Sequence, residues 1–167
     1  KAFQKNQVRD YHFHTYSSGY GYNDLGREVL ESIYAQVFSA PSAIVRSQIV
    51  SGTHAISACL FGILRPGDEL VSLTGAPYDT LAGIIKDLPG CLSNQGIKYR
   101  EVPLDQEGKP HFEAIQQNLS AQCRMVILQR SRGYSLRPAL TVQDIEALVK
   151  LVKSINTDII VFVVRTY

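Results

Sequence analysis

Arg46-Ser-Gln-Ile-Val-Ser-Gly-Thr-His-Ala-Ile-Ser-Ala-Cys-Leu-Phe-Gly62 opens as an apolar run, breaks at Ser51-Gly52-Thr53, and resumes with apolar residues at helical spacing: Ile56, Leu60, Ile63 and Leu64. The spacing predicts a strand over 44–50 that hands the Ser-Gly-Thr turn to the start of a helix. Such a start leaves several backbone N–H groups without helical partners, and the helix dipole adds partial positive charge there. A phosphate is the natural guest of that geometry. The plainer alternative is that Ser51 or Thr53 caps the helix and Gly52 makes the turn.

Outward from this stretch, amphipathic helices alternate with short apolar strands. Toward the N-terminus, Ser17-Ser-Gly-Tyr-Gly-Tyr22 reads as irregular, and Asn23-Asp24 offers a cap for a helix carrying Leu25, Val29, Leu30, Ile33, Val37 and Phe38. His12 and His14 flank Phe13, which in an extended strand puts both imidazoles on one face, but no third metal ligand accompanies them. Toward the C-terminus the pattern predicts strands at 69–73, 97–102, 125–129 and 158–164. Helices are predicted through Leu81–Leu88, Phe112–Leu119 and, capped by Thr141, Val142–Val152. Arg65-Pro-Gly-Asp68 and Pro89-Gly90 are turn and stop signals. Nearly all-apolar strands alternating with helices define an α/β fold, a mainly parallel sheet with helices on both faces. Ligands in such sheets gather beyond the carboxyl ends of the strands, where Ser51–Thr53, Gly75–Thr80 and Gln129–Tyr134 fall. The chain stops directly after its last strand, which suggests a truncated domain.

Composition excludes several classes. The 167 residues are 45% hydrophobic and 19% charged, enough for a substantial core. A net charge of +2 with no basic run among aromatics argues against nucleic acid. No apolar segment reaches membrane-spanning length and no secretory pattern opens the chain, so a cytoplasmic protein is expected. Cys59, Cys91 and Cys123 are odd in number and widely spaced, which suggests neither disulfides nor zinc, and Cys59 reads as a small buried helix residue. The first turn lacks the Gly-x-Gly-x-x-Gly of a dinucleotide-binding domain.

Gly19-Tyr-Gly-Tyr-Asn-Asp-Leu-Gly-Arg27, Val45-Arg-Ser-Gln-Ile-Val-Ser-Gly-Thr-His-Ala55, Leu64-Arg-Pro-Gly-Asp-Glu-Leu70, Thr74-Gly-Ala-Pro-Tyr-Asp-Thr80 and Gln129-Arg-Ser-Arg-Gly-Tyr134 together resemble the methionine gamma-lyase-like family. Its members are often labelled aluminium-resistance proteins and belong with the pyridoxal-phosphate enzymes of cysteine and methionine metabolism. The resemblance runs over nearly the whole chain but covers only the first part of such an enzyme. It implies a fold type I large domain, truncated before the cofactor lysine, with residues 1–40 as an arm and first helix and 41–167 as the partial cofactor domain. It also implies a dimer or tetramer, pyridoxal phosphate as cofactor and an amino acid as substrate.

By the same resemblance, Ser51, Gly52 and Thr53 would cradle the cofactor phosphate and Tyr78 would stack on the pyridine ring. Tyr22 and Arg27 would reach the phosphate from a neighbouring subunit, with Tyr20 as a competitor and a plain surface charge as the other reading of Arg27. Gln129 would approach the cofactor, and Arg130 or Arg132 would hold a substrate carboxylate, unless both are ordinary solvated arginines. Two departures stand against these matches. Where the family carries an aspartate for the pyridine nitrogen, this sequence has Val164-Arg165, and the family's Schiff-base lysine lies beyond Tyr167. The expectation is therefore a lyase fragment that does no Schiff-base chemistry by itself, or else a non-catalytic phosphate-binding or assembly module of the same fold.

Overall fold

The computed structural model describes residues 1–14, 16, 24–133 and 135–165, and the chain divides into two compact units, Lys1–Val50 and Ser51–Tyr167.

In the first unit, helices α1 (Ala2–Lys5) and α2 (Tyr11–His14) precede α3 (Leu25–Val37), whose N-cap Asp24 accepts from the Arg27 amide. Asn6 donates to Gln36 at 2.9 Å and ties α1 to α3. Of the apolar positions that mark α3, Ile33 is buried, whereas Leu25, Leu30, Val37 and Phe38 remain exposed. The strand expected at 44–50 does not form. A strand needs a neighbour for its backbone groups, and here a side chain takes that role: Glu31 accepts the Val45 amide at 3.0 Å and pairs with the Arg46 guanidinium at 2.8 Å. Ile44 and Val50 are left exposed. His12 and His14 lie on a helical turn rather than a strand, so they do not share a face, and His12 stacks on Tyr11 at 4.2 Å.

The second unit begins at Ser51, the N-cap of α4 (Gly52–Ile63), where the Ser51 hydroxyl accepts from the His54 amide at 3.0 Å. Four strands follow: β1 (Glu69–Ser72), β2 (Lys98–Glu101), β3 (Cys123–Gln129) and β4 (Ile160–Val164). They form one parallel sheet in the order β2-β1-β3-β4. Between them run α5 (Asp79–Ala82), α6 (Phe112–Asn118) and α7 (Val142–Ile155), the last opened by a capping box between Thr141 and Asp144. α5 passes into a π-turn, Gly83–Asp87, so the helix expected as far as Leu88 closes early. Leu88 donates back to the Gly83 carbonyl, and a Cβ on Gly83 would approach its side chain to 3.1 Å, so a larger residue there would push the exposed Leu88 aside.

Both sheet faces are covered, because successive side chains on one strand point to opposite sides. Leu70, Met125 and Ile127 pack against Ile56, Leu60, Leu81 and Ile85 of α4, α5 and the π-turn. Val71, Val126 and Leu128 pack against Ile115 of α6 and Leu148 and Val152 of α7. Two particulars differ from the pattern. Cys59 is exposed, because the buried stripe of α4 runs Ile56–Leu60–Leu64 and turns Cys59 outward; Val142, in the first turn of α7, is also exposed. None of the described helices is long and apolar enough to cross a membrane.

Candidate functional site

The strand order reverses direction between β1 and β3, and loops leaving the carboxyl ends of those two strands diverge there. At that point a cleft of about 780 Å³ is lined by Gly52, Thr53, Tyr78, Arg130, Ser131, Ala139 and Arg165. Each element delivers its share for a local reason. Ser51 starts α4 and uses its hydroxyl as the cap, so the N–H groups of Gly52 and Thr53, which face no helical carbonyl, donate to no described residue. A Cβ on Gly52 would meet nothing within 4 Å, so the backbone there is open to a ligand.

Tyr78 is half-buried and stands just ahead of α5, with its amide held by the Gln129 side chain at 3.2 Å. The Gln129 amide in turn donates to the Thr74 hydroxyl at 3.1 Å, which joins the ends of β1 and β3. Arg130 continues the sheet by one bond, its amide donating to the Val164 carbonyl at 3.0 Å. Its Nε donates to the Leu140 carbonyl at 3.3 Å, while its terminal nitrogens have no partner among the described residues.

Among the described residues no Asp or Glu lines this cleft and two arginines do. Positive charge and an open helix start are features that suit an anion. Among the lysines of the second unit none reaches it. Lys86, Lys109 and Lys150 pair with Glu101, Glu107 and Glu146, Lys98 donates to Gln122, and Lys153 donates to the Thr157 and Ile159 carbonyls. Cys123 is no nucleophile, because burial pushes its thiol up to about 11. Among the described residues no group of His, Cys, Asp and Glu could hold a metal ion.

The structure brings together Gly52, Thr53, Tyr78 and Arg130, and sets Ser51 beside them as the cap. Gln129 adjoins the cleft without lining it; its carboxamide bonds Tyr78 and the Ser131 carbonyl. Arg132 is exposed outside the lining. Arg27 belongs to the first unit, where its guanidinium pairs with Asp24 at 3.0 Å, and Tyr22 lies outside the described residues. Ser131, Ala139 and Arg165 line the cleft without having been named as binding residues, although Ser131 falls in the loop expected at the strand ends and Arg165 at the family's aspartate position. Arg165 had a legible signal, a charge directly after an apolar strand; Ala139 had none.

The anion half of pyridoxal phosphate fits this cleft: the free amides of α4 and the Arg130 guanidinium suit a phosphate. The ring nitrogen does not fit, because the group lining the cleft at the end of β4 is the cation Arg165, where a protonated pyridine needs a carboxylate.

A mainly parallel sheet of this order with helices on both faces is the fold of type I pyridoxal-phosphate enzymes. A Campylobacter jejuni O-acetylhomoserine (thiol)-lyase, 19% identical and covering 85% of this chain, shares it with a TM-score of 0.63. The chain belongs to the methionine gamma-lyase family, whose sequence profile it matches over residues 1–167. It is similar to a proposed cystathionine beta-lyase involved in aluminum resistance from Listeria innocua, 52% identical over 97% of this chain and 40% of that one, with a TM-score of 0.93. A carbon-sulfur lyase involved in aluminum resistance from Clostridium novyi NT is 45% identical over 97% of this chain and 39% of its own, with a TM-score of 0.90. The uncharacterized protein YnbB of Bacillus subtilis is 45% identical over the whole chain and 40% of its own length. The chain thus spans about two fifths of these relatives.

Replacing Ser51 with alanine is expected to lower unfolding free energy by about 1 kcal/mol, the usual worth of an N-cap hydroxyl. Urea unfolding checks this: an unchanged midpoint would show that the His54 amide finds water at no cost.

Proposed function

We propose that this chain forms the phosphate-holding part of a pyridoxal-phosphate-dependent carbon–sulfur lyase of sulfur amino acid metabolism, cytoplasmic and working as a dimer or tetramer. We propose further that these 167 residues by themselves bind the cofactor reversibly and do not react with it. The observation that carries the reading is the cleft wall, where, among the described residues, two backbone N–H groups have no partner and two arginines stand with no Asp or Glu. Pyridoxal phosphate, when bound in such enzymes, supplies an electron sink for a carbanion on the amino acid.

In this chain Gly52 and Thr53 would donate backbone N–H groups to the phosphate, with Ser51 holding the turn. Tyr78 would offer a flat face to the ring. Arg130 would bond the phosphate and, with Arg132 further out, a substrate carboxylate by charge-assisted bonds. Gln129 would hold Tyr78 in place. Tyr22 and Arg27 would act on the phosphate of a neighbouring copy. The apolar side chains that α3 leaves in solvent are what supports assembly. Arg165 favours the second reading, a non-catalytic phosphate-binding module of the same fold, since a cation there opposes protonation of a pyridine nitrogen.

Equilibrium dialysis against pyridoxal phosphate and against pyridoxal, followed by borohydride treatment and mass spectrometry, tests the reading. Pyridoxal phosphate should bind at least about tenfold tighter than pyridoxal, and Arg130→Ala should weaken it by about tenfold, as loss of a charge-assisted bond implies. The protein should regain its unmodified mass after dialysis. Equal binding of the two compounds would overturn the phosphate cradle, and a borohydride-fixed adduct at one lysine would overturn the reversible binding.

A further inference from the structure

A third arginine, Arg137, does not line the cleft but holds the backbone that does. Arg137 Nη2 donates to the carbonyl oxygens of Gln129 at 2.9 Å and Ser131 at 2.7 Å, and its Nη1 donates to the Pro138 carbonyl at 3.1 Å. The carbonyl between the first two, that of Arg130, accepts from the Leu140 amide at 3.0 Å. Three successive carbonyls, that of the last residue of β3 and the two beyond it, are therefore engaged although no strand continues there.

The same backbone is gripped from its other side. Gln129 Nε2 donates to the Ser131 carbonyl at 3.2 Å, and Gln129 Oε1 accepts the Tyr78 amide at 3.2 Å. Gly133 turns the loop in the left-handed region, at φ +58°, so close that a Cβ would stand 3.5 Å from Gln129 Nε2 and 3.9 Å from Tyr78 Cβ. Arg137 pairs with no carboxylate among the described residues, and its partial burial pulls its pKa below the usual guanidinium range. A cation set among carbonyls this way does two things. It fixes geometry, because the planar fork reaches several acceptors at once, and it adds positive charge beside the Arg130–Ser131 backbone, although Glu101 lines the neighbouring cavity with it.

We infer that Arg137 is a positioning residue of the anion cleft: it locks the backbone of residues 129–131 so that Arg130 and Ser131 face the ligand, and its charge raises the cleft's affinity for phosphate. This rests on the reading of the cleft as a phosphate site. The same grip explains why Gln129 is buried rather than presented to a ligand, since its side chain is the link between the two loops.

The test uses the 167-residue chain with Arg137→Met, Arg137→Lys, Arg130→Ala and the double variant Arg130→Ala/Arg137→Met. Inorganic phosphate and pyridoxal phosphate are titrated calorimetrically at two salt concentrations, and amide hydrogen exchange is followed in parallel. Arg137→Met should weaken phosphate by about tenfold, the effect of one misplaced charge-assisted contact. Adding it to Arg130→Ala should cost less than about twofold more, because residues acting through one another are not additive. Arg137→Lys, which keeps the charge and loses the fork, should fall between and show the steeper salt dependence. The Tyr78 and Arg130 amides should exchange about tenfold faster in Arg137→Met while Val126 does not change.

Phosphate binding equal to wild type in both Arg137 variants would overturn the inference and leave the cleft reading intact. So would losses that simply multiply in the double variant, or faster exchange without weaker binding, which would make Arg137 a loop staple only. A wild-type chain that holds neither probe would sink the cleft reading and this inference with it.

Discussion

Glu69→Ala is expected to remove about 2–4 kcal/mol of stability, toward the lower end of what breaking a buried ion pair costs because Arg100 keeps some access to water. Glu69 is buried at the start of the central strand β1. Its carboxylate accepts from Arg100 Nε at 2.6 Å, from Arg100 Nη2 at 3.0 Å and from the Ser120 hydroxyl at 2.6 Å. Arg100 also donates to the side-chain and main-chain oxygens of Asn118. One carboxylate thus ties the edge strand β2 and the loop before β3 to β1. Without it, a guanidinium and a hydroxyl are left with desolvated, unmatched donors.

The pH dependence follows from the same contacts. The Arg100 guanidinium hydrogen-bonded to Glu69 holds its carboxyl below the ordinary value of 4.5, against the upward push of burial, and Ser120 adds to the lowering. The folded pKa is the lower one, so this stabilisation is fully present above about pH 4.5 and disappears as pH falls through the folded value. Urea midpoints of wild type and Glu69→Gln should therefore lie well apart at pH 7 and converge toward pH 3. Midpoints that stay equally separated over that range would mean the carboxylate's charge is not what holds the strands.

Leu128→Ala carries the other large effect, about 3–4 kcal/mol. Leu128 is fully buried on β3, opposite Val163 of β4 in the parallel register, within the cluster that packs the sheet on α6 and α7. Truncation removes apolar contact and leaves a void that a sheet bonded on both sides of β3 cannot collapse to fill. Leu136→Ala removes the same atoms from a side chain that is 100% exposed and should change stability by less than about 0.5 kcal/mol. Denaturation followed by circular dichroism separates the two. A loss for Leu128→Ala no larger than that for Leu136→Ala would contradict the packing described.

Much of the fold was legible because local chemistry and tertiary packing agree. The apolar run Met125–Leu128 could serve only as a buried strand, and Thr141 with Asp144 could serve only as a helix start. The segment 44–50 was misread because β-branched residues satisfy a strand pattern in one dimension. Whether a ladder forms depends on a neighbour, and here Glu31 takes the amide that a neighbour would have taken. The residues of α3 carry helical periodicity, yet periodicity says which side is apolar and not what covers it.

At Ser51-Gly52-Thr53 the structure shows the capping reading, and the phosphate cradle stays a proposal. Ser51 is the helix cap, and that capping leaves the Gly52 and Thr53 amides free on the cleft wall. Sequence alone determined the α/β alternation, the parallel sheet, a helix start within Ser51–Thr53 and the family, since each follows from patterns within a few residues or from motifs in order. Only the tertiary structure decided that Arg130 and Arg165 share a wall with that helix start, that Gln129 turns inward, and that Arg137 stands behind it. Those residues come together through strand order and loop closure, and hydrogen bonds between segments far apart in the chain leave no periodic trace in either one.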